Sequence, residues 1–184
     1  GAGVNGIVLG AKLGQLDIPY TIVEKNGEVG GTWLENRYPG CGVDTPNHAY
    51  SLSFGERYPW SRYFALRGEI QDYLERCADD FGVRPHILFQ TKMTGAVWDE
   101  KNARWRVQVR TATGTREILT SFLVSAIGQF NLPSTPTTAG NSDFKGRAFH
   151  SAKWPDDLDI SGQHVSIIGT GASAMQIVPA IAHQ

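Results

Sequence analysis

The chain has 184 residues, about the size of one average domain, and 41% are hydrophobic against 19% charged, a globular composition rather than a disordered one. Lys and Arg number 17 and Asp and Glu 18, a net charge of −1, which argues against a nucleic acid or an anionic membrane surface held by bulk charge. Two cysteines, Cys41 and Cys77, exclude a disulfide scaffold and a Cys-rich metal cluster, and no apolar run is long enough to span a bilayer.

The chain opens on Gly1-Ala2-Gly3-Val4-Asn5-Gly6, without Met and without a visible signal peptide. A turn of this form follows a buried strand in a dinucleotide-binding fold, so an internal piece of a longer, cytoplasmic protein is expected, with the first strand missing. Asn5 to Gln15 is predicted as a helix against a sheet, with Ile7, Val8, Leu9, Ala11 and Leu13 apolar and Gly14 and Asp17-Ile18-Pro19 ending it. Tyr20 to Glu24 reads as a short buried strand and Asn26 to Gly31 as a Gly-rich loop. Residues 32–63 are dense in Pro, Gly, Asn and aromatics without a sustained period, a length of irregular chain that is usually functional. Arg67 to Phe81 has helical spacing, and His86 to Phe89 reads as a short strand.

Thr94 to Asp99, Trp105 to Arg110 and Arg116 to Leu119 alternate and are split by turns, predicting an antiparallel meander. Phe122 to Ile127 is a continuous apolar run, predicted as a parallel core strand. Residues 131–141 read as linker, His164 to Ile168 as a strand, and Ala172 to Gln184 as a helix without a stop signal. The order predicts an α/β fold: a Rossmann-like domain over 1–130 with an antiparallel insertion, a linker over 131–160, and the start of a second Rossmann-like domain over 161–184.

The two glycine turns carry the chemistry. In Gly1-Ala2-Gly3-Val4-Asn5-Gly6, the first Gly allows a sharp turn, the second lets backbone approach a pyrophosphate, and the third lets helix and strand pack closely. The helix N-terminus offers free N–H groups to phosphates. Glu24, 18 residues after Gly6 at a strand tip, is placed to accept both hydroxyls of an adenosine ribose and to repel a 2′-phosphate, which points to FAD or NAD. Gly169-Thr170-Gly171-Ala172-Ser173-Ala174 is the G-x-G-x-x-A variant after a second apolar run. Two such turns suggest a flavin and a nicotinamide brought together for hydride transfer.

The segment between the turns resembles a known family. Gly30-Gly31-Thr32-Trp33 with Asn36-Arg37-Tyr38-Pro39-Gly40 is similar to the flavin-contacting loop of Baeyer–Villiger monooxygenases. Residues 144–155 match that family's F-x-G-x-x-x-H-x-x-x-W-P fingerprint at Phe144, Gly146, His150, Trp154 and Pro155. Residues 41–50, CGVDTPNHAY, resemble the 4-hydroxyacetophenone monooxygenase-like branch. The resemblance implies FAD at the first turn, NADPH at the second, and insertion of one oxygen atom of O2 beside a ketone carbonyl to give an ester or lactone. It assigns FAD contacts to Asn5, Glu24, Thr32, Trp33, Leu34, Glu35, Asp44, Tyr50 and Val97. NADP contacts fall on Thr170, Gly171, Ala172, Ser173, Ala174, Met175 and Gln176, and on the backbone of Gly42, Val43 and Asp44. Asp44 is the implied catalytic carboxylate, orienting an Arg that this chain does not contain. Gly42 stands where the family commonly has Arg, and Ala126-Ile127-Gly128 where it has A-T-G.

Simpler roles compete for several of these residues. Asp44 suits a turn or cap, His150 is expected to orient the linker, and Trp154 suits a buried aromatic anchor. No metal site is expected, since the His and Cys residues lack ligand spacing, and no C-x-x-C supports a redox thiol at Cys41. The competing functions are an N- or S-oxygenating flavin monooxygenase, against which Trp154-Pro155 argues, and an inactive flavin-binding fragment.

Overall fold

The computed structural model describes residues 1–137, 139–140 and 143–182. The chain divides into two compact units, Gly1–Gly31 with Leu74–Gln129, and Thr32–Tyr73 with Phe130–Gln184. The expected linker includes Thr138, Asn141 and Ser142, which lie outside the described residues, as do His183 and Gln184 of the expected last helix.

In the first unit, helix α1 spans Val4–Gln15. Gly6, Ile7, Gly10 and Ala11 form its buried face, the i, i+4 repeat of a helix lying on a sheet. A Cβ on Gly10 would stand 2.9 Å from Val83 and 3.2 Å from Ile22, so the bare backbone brings the helix close to the strand. The helix stops at Leu16, and Asp17 takes the left-handed position (φ 52°), with its N–H donating to the Gly14 carbonyl. Asp tolerates that conformation because its short polar side chain bonds locally. The helix thus ends at Gln15, as the sequence predicts, and the left-handed residue that follows it is Asp17 of the Asp17-Ile18-Pro19 turn rather than a glycine.

Strand β1 (Ile22–Val23) pairs in parallel with β2 (Ile87–Leu88), Ile22 opposite Ile87. Strands β3 (Lys92–Asp99), β4 (Arg104–Thr111) and β5 (Gly114–Thr120) form the antiparallel meander that the alternation predicts, in the order β3-β4-β5. Val107 and Val109 of β4 are its buried side chains, while Trp98 and Trp105 meet edge to face across β3 and β4.

The second unit holds a one-turn helix α2 (Thr32–Glu35) inside the stretch read as irregular, and helix α4 (Ala172–Ile181). Helix α3 (Arg67–Asp80) begins in this unit and ends in the first. Its buried Ile70, Tyr73, Leu74, Cys77 and Ala78 reproduce the predicted spacing.

Two expected strands are corrected. Phe122 to Ile127 and His164 to Ile168 are assigned neither helix nor strand, and both expose their apolar side chains, Ile127 at 66% and Ile168 at 83%. A parallel core strand is made by neighbours that supply ladder hydrogen bonds and cover both faces. Among the described residues neither run pairs with a strand of the two sheets.

Candidate functional site

At the first glycine corner, the crowding comes from backbone. A Cβ on Gly6 would stand 2.0 Å from the Gly1 carbonyl oxygen, and one on Gly1 would stand 2.7 Å from the Ala126 carbonyl oxygen. Gly30 donates its N–H to the Ala2 carbonyl at 3.0 Å. Glu24 is only 4% exposed. One carboxylate oxygen accepts the Ala2 N–H at 2.6 Å and the other accepts the Asn26 N–H at 2.8 Å. The acid predicted from spacing thus reaches the corner from the strand tip. An ionised carboxylate has about four acceptor positions, so these bonds leave room for sugar hydroxyls.

Helix α1 starts at Gly3 with no side-chain cap and no acid in its first turn. Its first N–H groups lack an intrahelical acceptor and carry the positive end of the helix dipole. Asn5 stands exposed in that turn. Val97, by contrast, lies in the antiparallel insertion opposite Arg106 and is 68% exposed.

In the second unit, Thr32 to Glu35 form α2. Trp33 is buried and donates its indole N–H to the Tyr50 hydroxyl at 3.0 Å, the two rings meeting edge to face. Arg67 caps the turn: its Nε donates to the Trp33 carbonyl at 2.7 Å and a terminal nitrogen to the Leu34 carbonyl at 3.3 Å. Arg67 was not singled out from sequence, because a capping partner more than 30 residues away leaves no periodic signal.

The loop carrying Asp44 is fixed on both sides. Gly42 bridges Leu66 in antiparallel fashion, and the Val43 N–H donates to the Ala65 carbonyl at 3.0 Å. Buried Asn47 donates from Nδ2 to the Arg62 carbonyl at 2.8 Å and accepts the Ala65 N–H at 3.1 Å. Between these anchors Asp44 is exposed. Asn47 is a second positioning residue that sequence reasoning passed over; its place directly after the Asp44-Thr45-Pro46 turn was the available hint.

At the second corner, Gly169 is left-handed (φ 122°) and Gly171 caps α4 with extended backbone and no side-chain hydrogen bond. Among the described residues, no atom beyond the chain neighbours lies within 4 Å of a Cβ built on either glycine. Thr170 is exposed, as are Ala172 and Met175, whereas Ser173 and Gln176 turn to Tyr38 and Gly42. Burial pushes the Tyr38 hydroxyl up to about 12, and burial also raises the neighbouring Cys41 thiol, which keeps both protonated at neutral pH.

The fingerprint forms a local cap. His150 accepts the Ala152 N–H on Nδ1 at 3.1 Å and starts a 3₁₀ turn over Ser151–Lys153. Trp154 follows, half-buried and edge to face with Phe149. Gly146 packs under the exposed Phe144 ring, and the Pro155 carbonyl accepts the Leu158 N–H. Among the described residues, no His, Cys, Asp and Glu cluster could hold a metal ion and no helix is long and apolar enough to cross a membrane.

A Rossmann-like α/β protein with two glycine corners and an antiparallel insertion is the class these features define. The family model for L-lysine 6-monooxygenase/L-ornithine 5-monooxygenase matches residues 54–184, and that for the NAD(P)-binding Rossmann-like domain matches residues 1–65. A Baeyer–Villiger monooxygenase of Streptomyces coelicolor is 42% identical over 98% of this chain and 34% of its own length. The solved structure of OTEMO in complex with FAD and NADP is 36% identical with a TM-score of 0.88, covering 98% of this chain and 35% of that one. The closed structure of cyclohexanone monooxygenase is 32% identical, also with a TM-score of 0.88, over 99% of this chain and 35% of that one. The chain belongs to the L-lysine 6-monooxygenase/L-ornithine 5-monooxygenase family and, among flavin-dependent monooxygenases, to the Baeyer–Villiger group. It spans about a third of the length of the curated relatives it matches.

Proposed function

We propose that the full-length protein carrying this chain is an FAD- and NADPH-dependent Baeyer–Villiger monooxygenase, inserting one oxygen atom of O2 beside a ketone carbonyl to give an ester or lactone. The observation that carries the reading is the F-x-G-x-x-x-H-x-x-x-W-P segment placed before the second glycine corner. The first corner suits FAD: Glu24 keeps free acceptor positions for ribose hydroxyls, and the Val4, Asn5 and Gly6 N–H groups face a pyrophosphate. Gly1, Gly3 and Gly6 give that backbone its reach, and Thr32 to Glu35, Tyr50 and Val97 are the further FAD contacts. The second corner, Thr170 to Met175 with Gly42 to Asp44, takes NADPH, while Gln176, which the resemblance also assigns to it, has its side-chain amide bonded to Gly42.

Bound FAD, reduced by NADPH, supplies the activation of O2. The chain's own residues bind and orient: Glu24 holds the adenosine end, the two helix starts hold phosphates, and Asp44 is the catalytic carboxylate, orienting a cation from outside this chain. Among the described residues Asp44 makes no hydrogen bond or ion pair, which leaves it free for that partner. The fingerprint belongs to the linker, 131–160, between the FAD domain of 1–130 and the NADP domain beginning at 161. A reaction fed by NADPH suits the cytoplasm.

The family model matched over 54–184 favours a second reading, N-oxygenation of an amino acid. Purified full-length protein is incubated with NADPH and O2 and either a ketone, L-lysine or L-ornithine, or a thioether. Ester or lactone formation from the ketone is the expected result. A hydroxylamine or sulfoxide as sole product selects the alternative oxygenations, and a protein that cannot be reconstituted with FAD ends all of these readings.

A further inference from the structure

Gln176 lies in the second turn of α4, past the first-turn N–H groups that face a phosphate. Its carboxamide lies along the backbone of Gly42: Nε2 donates to the Gly42 carbonyl at 2.8 Å, and Oε1 accepts the Gly42 N–H at 3.4 Å. Oε1 also accepts the Tyr38 hydroxyl at 3.0 Å, and that hydroxyl accepts from Ser173 Oγ at 3.2 Å. A side-chain amide here bonds to both polar groups of one residue, as a neighbouring strand would.

The fit is close on every side. A Cβ on Gly40, which is left-handed at φ 75°, would stand 2.6 Å from the Gln176 carbonyl oxygen and 3.1 Å from Ala180 Cβ. A Cβ on Gly42 would stand 2.9 Å from the Ala65 carbonyl oxygen. The loop over 38–42 therefore meets α4 through bare backbone, and Gln176 supplies the polar match. Asp44 follows Gly42 by two residues, and the Val43 N–H between them is bonded to Ala65.

From this we propose that Gln176 is a positioning residue, locking the Gly42–Asp44 loop in register with the helix of the second glycine corner, so that a nucleotide held at that corner sets the position of Asp44. The inference rests on the reading of that corner as the NADPH site and of Asp44 as the working carboxylate. Gln176 acts through the loop backbone and not by contact with the nucleotide. An alkyl side chain at 176 leaves the Gly42 N–H and C=O without their partner and frees the loop.

The test compares the full-length, FAD-loaded protein with Gln176→Leu and Gln176→Glu, the second keeping the shape and losing the Nε2 donor. Hydrogen exchange is read by mass spectrometry on peptides covering residues 38–46, with and without NADP+, beside NADPH oxidation kinetics. Without nucleotide, exchange over 38–46 should rise about fivefold in Gln176→Leu, the loss of about one hydrogen bond, and also in Gln176→Glu, where a carboxylate that still accepts the Gly42 N–H sets its second oxygen against the Gly42 carbonyl and pushes the loop away. NADP+ should protect the loop in the parent protein only, and kcat should fall roughly tenfold with the NADPH KM within about twofold. Parental exchange rates in both variants overturn the lock. A raised KM with unchanged kcat makes Gln176 a nucleotide ligand and overturns it as well. If Gln176→Leu fails to fold, Gln176→Glu decides. A parent protein that neither binds NADP+ nor oxidises NADPH refutes the underlying reading, while the nucleotide-free exchange still reports on the lock.

Discussion

A methyl group added to the first glycine corner at Gly1 or Gly6 would strike a backbone carbonyl, while one added to the second at Gly169 or Gly171 would meet, among the described residues, nothing beyond its chain neighbours within 4 Å. The first corner is held by backbone: the Gly30 N–H bonds Ala2, and the buried Glu24 carboxylate ties Ala2 and Asn26 to the end of β1. The second is held a turn further along its helix, where Gln176 and Ser173 reach Tyr38 and Gly42. The two corners share the G-x-G spacing, differ at the third position, Gly6 against Ala174, and answer two demands. At the first corner the missing side chains let the protein pack on itself; at the second they leave space in front of the helix start.

The largest effect follows from that difference. Gly6→Ala puts a Cβ about where the Gly1 carbonyl already is, and backbone has to move. Overpacking of this kind costs about 1–3 kcal/mol or more, and the full-length protein should purify without flavin absorbance. Flavin bound at the parental ratio would show that the corner is looser than its contacts imply. Glu24→Gln comes next. An amide turns one acceptor oxygen into a donor, so either the Ala2 or the Asn26 N–H faces another N–H in a buried site. The loss of a charged acceptor, about 1.5–3 kcal/mol, should weaken FAD binding by roughly tenfold to a hundredfold, read by flavin fluorescence titration. An unchanged Kd would remove Glu24 from the ribose.

What was legible in the sequence tracks how local the cause is. Helices α1 and α3 and the β3-β4-β5 meander follow from periodicity, because the residues that set each period lie within the element. Glu24 was legible because a fixed helix-and-strand length separates it from the corner. Phe122 to Ile127 and His164 to Ile168 have the composition of strands, but strand formation depends on a neighbour, and composition does not report one. The anchoring of Asp44 was hidden for the same reason. Asn47 meets Arg62 and Ala65, and Tyr38 meets Gln176 138 positions away, contacts that no window on the sequence contains. The one-turn helix at Thr32–Glu35 escaped because it is held by Arg67 rather than by its own pattern.

Gly171→Ala sharpens the contrast from the other side. Its φ of −77° with extended backbone suits any residue, and among the described residues no atom beyond the chain neighbours opposes the methyl. Without NADPH the protein should keep its flavin and its stability within about 0.5 kcal/mol. The methyl would stand where backbone approaches a pyrophosphate, so the NADPH KM should rise by about tenfold, a loss near 1.4 kcal/mol of binding. Loss of flavin in this variant would mean that the second corner is as tightly packed as the first.

The smallest effect concerns what holds the second corner. Burial is the main reason the Tyr38 hydroxyl is pushed up to about 12, with Cys41 adding to the rise and the Ser173 hydrogen bond opposing it. In the unfolded chain a tyrosine ionises near 10. Between those values the unfolded state loses a proton that the folded state keeps, so the contribution of neutral Tyr38 is complete below pH 10 and falls as pH rises towards 12. Other groups titrate in that window, so the measurement is a difference: thermal midpoints of the parent and Tyr38→Phe, followed from pH 8 to 12. The phenylalanine variant should be less stable by about 1 kcal/mol at the lower end, having lost its hydrogen bond to Gln176, and the gap should close as pH rises. Curves that stay parallel would mean that the Tyr38 hydroxyl is open to solvent and that α4 is not anchored through it.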